Sequence, residues 1–489
     1  MSSVAAEERI SRRTWLALVA MALGVFLIAN DITALTVAIG RIETDLHTSL
    51  NRAQWVINGY ALVFGVLIVT GGRLADLFGR KRIFMIGAAI FALFSLLTAV
   101  MPNVDLVIAC RALMGIGGAL VWPAVLGLTY TILPEGRKGL AGGLIIGVAG
   151  LGNAVGPLLG GWLTDAASWR LIFLINLPIT ALAMFVTQRE VPESEVAGAE
   201  RGIDYTGVTL LSLGAVAVLL ALDIGTVSGF GSPLVVALIV AGLVVLTAFF
   251  LIERRQGDAA LIPADVLRSR IFSAACVTVL LMSAIFFAAL LFLPQFMERS
   301  LGFSPLRAGA GLLPLMCAFA AVSFAAGSLY GRLGAKVSVT AGGVFLAAGI
   351  FLLSFLSRGS GYASLIPGMI VLGIGIGLFY SSVTTAAVTA LDPARSSLAG
   401  GIVYMCQVAG GAIGLGLNTA IALSAGTLVD GIRVAFRVDA VLAAAGVAVC
   451  LAFVHGPRRS AAHAAVPPAH HRVHTSTLGR GAAAQQAGQ

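Results

Sequence analysis

The amino-acid sequence predicts an all-α membrane protein of fourteen transmembrane helices, built as two six-helix halves plus two extra central helices. Three observations predict it. Apolar residues make up 58% of the 489 positions and charged residues only 11%, with a mean hydropathy of +0.99, where soluble domains carry roughly a quarter charged residues. Apolar runs of about 20 residues, enough for a helix to cross roughly 30 Å of hydrocarbon, recur from Trp15 to His455 with short polar breaks. The early part of the chain is also echoed, at a fixed offset, in the later part.

Taken in order, the spans fall at 14–38, 53–71, 83–101, 105–128, 139–163, 170–187, 205–222, 232–252, 271–295, 308–330, 337–356, 361–388, 397–423 and 434–455. The first follows Arg9, Arg12 and Arg13 but runs for about 25 residues without a small-x-small cleavage site, so it is a retained span. Between the second and third stands Gly72-Arg-Leu-Ala-Asp-Leu-Phe-Gly-Arg-Lys-Arg82. So short a charged turn requires an antiparallel helix pair, with Arg73, Arg80, Lys81 and Arg82 on the cytoplasmic side. With the N-terminus inside, the inner segments hold 22 of the 31 basic residues and the outer ones 8. Both termini are then cytoplasmic, in a multi-pass protein of the cell membrane.

The repeat divides the chain. Leu133–Gly143 matches Leu391–Gly401 at an offset of 258, and Gly115, Gly117, Gly152 and Gly156 meet Gly373, Gly375, Gly410 and Gly414. A degenerate echo of the charged turn, Gly327–Lys336, lies 255 residues after Gly72 and keeps the spacing of Gly72 and Gly79 as Gly327 and Gly334. The expected domains are an N-terminal six-helix half at 1–187, linkers and two inserted helices at 188–270, a C-terminal six-helix half at 271–455, and a disordered cytoplasmic tail rich in Ala, Pro, His and Gln at 456–489. Duplicated halves place a substrate site at their interface near mid-membrane.

Several classes are excluded. The net charge of +9 is scattered over breaks between spans and forms no nucleic-acid face. All five cysteines lie in apolar runs, without disulfide or metal spacing. No phosphate-binding Gly-x-x-x-x-Gly-Lys-Ser/Thr loop occurs, so an ATP site is not expected. No polar constellation suits an enzyme, and no cofactor is expected beyond a proton gradient.

The Gly72–Arg82 stretch resembles the turn between helices two and three of the major facilitator superfamily. Gly152-Asn-Ala-Val-Gly-Pro-Leu-Leu-Gly-Gly161 resembles the fifth-helix signature of that superfamily's antiporters. Fourteen spans with the extra pair in the middle are similar to its fourteen-helix drug:proton antiporter family. The resemblance implies the major facilitator fold and proton-coupled export of hydrophobic or amphipathic drugs across the cytoplasmic membrane; a monomer is expected. It implies that Gly72, Asp76, Gly79 and Arg80 latch the halves in the outward-facing state. It also implies that Gly152, Gly156, Pro157 and Gly160 form a sliding contact between halves and a seal against proton leak. Export of a lipid or endogenous natural product stays open, as does a non-transporting receptor or scaffold.

Residues inside the spans suggest the mechanism. Asp31 lies about 17 residues into the first span and Arg111 about six into the fourth. The two helices run in opposite directions, so both residues sit in the outer half of the bilayer and can meet. A charge there is costly unless paired or hydrated, which makes each a functional candidate for proton coupling. The repeat offsets carry Arg111 to Met369 and Asp31 to Phe286. Coupling is therefore expected in the N-terminal half, with Asp31 the only acid well inside the core and the C-terminal half a hydrophobic wall. Candidate cavity residues are Asn30, Asn58, Trp122, Tyr380, Tyr404 and Gln407, with Trp55, Tyr60, Phe287 and Asn418 beside them.

Overall fold

The structure is a computed structural model describing residues 10–193, 204–256, 260–263, 266, 268–357, 359–425 and 427–453. Helix starts follow local chemistry. Ser11, Ser49, Asn103, Asp204 and Ser269 each accept a backbone N–H three residues on through their side chains, satisfying a donor that the first turn leaves bare. They open α1 (Arg12–Ala34), α3 (Leu50–Phe78), α5 (Val104–Ile132), α9 (Tyr205–Ser228) and α11 (Arg270–Leu301). The N-terminal half also has α4 (Arg80–Val100), α6 (Lys138–Ala166) and α8 (Asn176–Glu190), with short helices α2 (Ile39–Asp45) and α7 (Leu171–Leu174) in its loops. After the inserted α9 and α10 (Pro233–Gln256), the second half comprises α11, the short α12 (Pro305–Ala310), α13 (Leu313–Leu353), α14 (Tyr362–Thr389), α15 (Ser396–Ser424) and α16 (Leu428–Phe453).

Thirteen helices among the described residues are long and apolar enough to span a membrane, and one of them counts twice. The 41-residue α13 leaves helical geometry at Gly334, where φ is 81° and ψ 169°. At about 1.5 Å per residue it would be twice the bilayer thickness if straight. It is instead a folded pair. The α14 glycines Gly373 and Gly377 lie against Leu315 and Phe319, before the kink, while Gly375 lies against Leu346, after it. The count is thus fourteen. The equivalent reversal between α3 and α4 is at Gly79, also at positive φ, 100°. Glycine reaches this conformation without the Cβ clash that other residues suffer.

The repeat offsets reappear as contacts. A Cβ on Gly117 would crowd the Phe91 nitrogen and one on Gly375 the Leu346 nitrogen; 91 and 346 differ by the same 255 residues. Gly115 lies similarly on the Tyr60 carbonyl and Gly373 on that of Leu315. Missing side chains let backbones approach closely where no hydrophobic force drives helices together in lipid.

The inserted helices pack on one another, with Gly214 against Leu246 and Gly242 against Val218. On α10, Val236, Val240, Leu243 and Val244 are exposed, as suits a face turned to lipid. α9 reaches into the seam between the halves: Leu219 lies beside Gly65 of α3, and the turn residue Phe230 lies against Gly416 of α15. Residues 194–203 of the first link, parts of the second at 253–270, and the tail at 456–489 lie outside the described residues.

Candidate transport cavity and charged sites

Asp31 and Arg111 meet. Both are fully buried, and Arg111 Nη1 donates to Asp31 Oδ2 at 2.5 Å. Three neighbouring groups hold the guanidinium: Nε donates to the Val56 carbonyl at 2.9 Å, the Tyr60 ring lies 4.4 Å from Cζ, and Phe173 lies at 5.5 Å. The other carboxylate oxygen accepts from Asn176 Nδ2 at 3.2 Å, and that nitrogen also donates to Ser95 Oγ at 3.1 Å. Ion pairing plus these hydrogen bonds offsets the cost of burying two charges. The pair was readable from the sequence, whereas Asn176 and Ser95 were not, because an amide and a hydroxyl inside a span carry no distinctive spacing.

The charged turn forms the second site. Arg80 Nε and Nη2 each lie 2.9 Å from Asp76 Oδ1. Arg80 also donates to the Pro393 carbonyl at 2.6 Å and to the Thr131 hydroxyl. Asp76 accepts from the backbone N–H groups of Ser397 at 3.3 Å and Leu398 at 2.8 Å. Those belong to the first turn of α15, where unpaired amides and the helix dipole attract an anion. A Cβ on Gly72 would stand 2.6 Å from the Ser397 carbonyl oxygen. Gly72, Asp76 and Arg80 thus all bear on the opposite half, while Gly79 makes the turn.

A matching contact lies across the pseudo-twofold. A Cβ on Gly327 would stand 2.6 Å from the Gly139 carbonyl, and Tyr130 Oη lies 3.0 Å from Thr385 Oγ1. The halves therefore touch at both seams of the end of the bundle that bears the charged turn.

The glycine stripe corrects an expectation. Gly152, Gly156 and Gly160 pack on α1 of their own half: hypothetical Cβ atoms on the first two would stand 2.9 Å from Ala29 Cβ and 3.0 Å from the Ala34 nitrogen, and one on the third would run into the Ala34 oxygen. Pro157 sits beside the stripe, 3.6 Å from the position of a Cβ on Gly309 in α12. The contact of α6 with the other half uses Gly139, Gly143, Gly147 and Gly150, which meet Gly327, Ser323, Phe324 and Phe319. Residues 150 and 152 point about 200° apart on a helix. A small-residue spacing reveals a smooth face without naming the neighbour that uses it.

Toward the other end of the bundle lies a cavity of about 270 Å³, just under the roughly 300–1,000 Å³ of drug-sized sites. Its walls are Ile32 of α1, Trp55, Asn58, Ala61, Leu62 and Phe64 of α3, Leu219, Leu220 and Leu222 of α9, Phe287 of α11, and Tyr404, Val408, Ala412 and Leu415 of α15. Beneath it Trp122 packs on Tyr404 at 4.4 Å between ring centroids, and Phe64 on Tyr404 at 5.4 Å. Of the expected cavity residues, Trp55, Asn58, Phe287 and Tyr404 line it and Trp122 underlies it. Asn30, Tyr380 and Gln407 do not line it. Asn30 is buried, and Tyr380 is buried with its hydroxyl 2.8 Å from Ser283 Oγ. Gln407 lies beside the α15 stripe formed by 404, 408, 412 and 415. The three leucines of α9 escaped notice because an insertion has no partner in the repeat to mark its inner face.

A further acid corrects the expectation that Asp31 stands alone. Asp439 of α16 is fully buried, and its Oδ1 accepts from Asn418 Nδ2 at 3.0 Å. The predicted span began at 434 and placed Asp439 near its edge. The helix begins at Leu428, which sets the residue eleven positions deep.

Two pseudo-symmetric six-helix halves, closed on each other at one end and parted by an apolar cavity toward the other, are the architecture of a membrane carrier. A family model described as Major Facilitator Superfamily matches residues 21–415, and the chain belongs to that superfamily. It is a multi-pass membrane transporter and not an enzyme. The puromycin resistance protein of Streptomyces alboniger is 34% identical, covering 84% of this chain and 82% of its own length. The tetracenomycin C resistance and export protein of Streptomyces glaucescens is 30% identical over 94% and 84%. The multidrug resistance protein Stp of Mycobacterium tuberculosis is 32% identical over 83% and 75%. Fourteen spans and these relatives fit the superfamily's fourteen-helix drug:proton antiporter family. The crystal structure of the human organic anion transporter MFSD10 (TETRAN) shares the fold, with a TM-score of 0.65 at 13% identity, covering 90% of this chain and all of that one.

Proposed function

We propose that this transporter exports small hydrophobic or amphipathic drugs across the cytoplasmic membrane in exchange for protons. The buried Asp31–Arg111 pair carries the reading. An intramembrane carboxylate held by a cation can trade that partner for a proton, and two wall residues stand next to the pair in the chain: Ile32 follows Asp31, and Asn58 lies between Val56 and Tyr60, which hold Arg111. The cavity wall is carbon apart from Trp55, Asn58 and Tyr404, so it favours apolar bodies with few polar groups. Relatives that confer resistance to puromycin or export tetracenomycin C support the drug class.

The basic turn faces the cytoplasm by the distribution of positive charge, which puts both termini inside and makes this conformation outward-facing. A proton from outside neutralises Asp31 and frees it from Arg111. Rocking of the halves then opens the turn end. Substrate enters the cavity from inside as the proton leaves, and Arg111 re-forms its pair with the carboxylate. The chain works as a monomer, since each cavity is complete within one copy. Export of a self-made natural product is a second reading, favoured by the tetracenomycin C exporter among the relatives.

Drug susceptibility and ethidium efflux in an efflux-deficient host test the function. Expression should raise resistance and efflux, and a protonophore should abolish both. Efflux that persists when the proton gradient is collapsed would overturn the coupling.

A further inference from the structure

We propose that Asp439 is a second proton-binding site, so that the C-terminal half carries a proton of its own through the transport cycle. The inference deepens the proton-coupled reading and rests on it. Asp439 is fully buried eleven residues into α16, about 16 Å along a helix axis at 1.5 Å per residue and so deep in the span. Among the described residues no cation lies within salt-bridge distance of it. Its Oδ1 accepts one hydrogen bond, from Asn418, whose amide also donates to the Gly414 carbonyl at 2.8 Å. Its Oδ2 and the Oδ1 of Asn418 are buried acceptors without a partner among the described residues.

The surrounding helices offer no compensating charge nearby. α16 packs on α11, α13 and α15. Charged residues on those helices are Arg270, Glu298 and Arg299 near the ends of α11 and Arg332 and Lys336 at the Gly334 reversal. On α16 itself, Arg433 pairs with Asp430 at 3.4 Å, and Arg437 lies exposed about 200° around the helix from Asp439. An ionised Asp439 would therefore stand in hydrocarbon-like surroundings with one hydrogen bond and no counter-ion, at a cost of the kind that makes intramembrane acids functional. A proton on Oδ2 removes the charge and turns a bare acceptor into a donor.

The position also supplies a release mechanism. Asn418 sits on α15, the helix whose first turn receives Asp76 and whose middle lines the cavity at Tyr404, Val408, Ala412 and Leu415. A tilt of α15 relative to α16 as the latch opens would shift Asn418 and change the seat of Asp439. The step is a plain proton transfer: an O–H bond forms at Oδ2 from water on one side and breaks to water on the other. In the N-terminal half the equivalent positions are Ala181 and Met184 at the two repeat offsets, so the site belongs to the second half alone.

The test uses the full chain in proteoliposomes with ethidium as transported probe, reading the proton-to-ethidium ratio from reversal potentials and protonated carboxyl groups from infrared difference spectra. Asp439→Asn should lower the ratio by one proton and remove one carboxylic-acid band, while Asp439→Glu keeps both. A wild-type ratio in Asp439→Asn, or an unchanged spectrum, overturns the site while leaving Asp31 coupling intact. Absence of proton movement with ethidium in the wild type overturns the proton-coupled reading together with it. Should Asp439→Asn fail to fold, Asn418→Leu serves instead. It removes the hydrogen bond that Asn418 gives the carboxyl and should move the pH midpoint of the band; an unmoved midpoint overturns the proposal.

Discussion

At the closed end of the bundle Gly72 rests on Ser397 and Gly327 rests on Gly139, each with 2.6 Å between a hypothetical Cβ and the facing carbonyl oxygen. The two seams are related by the repeat, yet the Asp76–Arg80 ion pair belongs to the first. Asp76 and Arg80 bind the first turn of α15 and the Pro393 carbonyl, whereas Gly331 and Ala335 occupy the equivalent places near α6. The same asymmetry runs deeper into the membrane, where Asp31 and Arg111 answer to Phe286 and Met369 and Asp439 answers to small or apolar residues. The backbone path of closure is thus common to both halves, while the Asp76–Arg80 ion pair sits at one seam. The other seam is held by close glycine packing and by the hydroxyl contact of Tyr130 with Thr385, so the two closures differ in the strength and direction of the contacts that bind them.

The largest effect expected from disturbing this asymmetry is at Arg111. Arg111→Ala leaves the Asp31 carboxylate buried without its cation and should cost about 3–5 kcal/mol, read as thermal unfolding of the purified protein in detergent, with transport lost. Replacing both partners, as Asp31→Leu with Arg111→Met, should recover most of that stability but none of the coupling.

Next come the glycines that both seams share. Gly72→Leu and Gly327→Leu should each hold the halves apart at a cost of about 1–3 kcal/mol, lowering the population closed at the turn end roughly tenfold or more. Labelling of a cysteine placed at Thr385 checks it, and equal effects at the two glycines would show that the sterics are symmetric.

A smaller effect should come from moving charge to the bare seam. Gly331 has open space where a Cβ would stand, and Gly331→Asp would put a carboxylate near the α6 N-terminus as Asp76 is near that of α15. It should stabilise the closed end by about 0.3–1 kcal/mol and slow turnover, measurable as a lower initial efflux rate.

The smallest effect concerns Asp45, in the loop before α3, whose equivalent is Ser300. A hydrogen bond from Arg170, then one from the Trp169 indole at 3.0 Å, holds its carboxyl below the ordinary carboxylate range. A depressed folded value means that the stabilisation is complete above the unfolded pKa and fades as pH falls through the folded one. Because the pair is partly exposed, Asp45→Asn should cost roughly 0–1 kcal/mol near neutrality and nothing in strong acid, as compared by unfolding at the two pH values.

Much of this was legible in the residues. Hydropathy marked the spans, including the pair folded at Gly334, because a bilayer imposes both length and apolarity on a helix. Intramembrane charge marked Asp31 and Arg111 because nothing else explains a cost of that kind. What escaped notice depended on rotation and on helix ends. The stripe at Gly152–Gly160 was visible as a face but its neighbour α1 was not, and Asp439 was hidden by a boundary six residues late. Asn176, Ser95 and the α9 leucines are ordinary residues placed beside the buried pair or on the cavity wall by what stands opposite them, which only the packed bundle reveals.

The measurement that bears most directly on coupling at Asp31 is ethidium transport driven by an imposed proton gradient, in proteoliposomes holding the wild type or Asp31→Asn. The gradient should drive ethidium in the wild type and should drive none in Asp31→Asn, folded and still able to bind ethidium. Gradient-driven transport at the wild-type rate in Asp31→Asn would contradict the role given to this carboxylate.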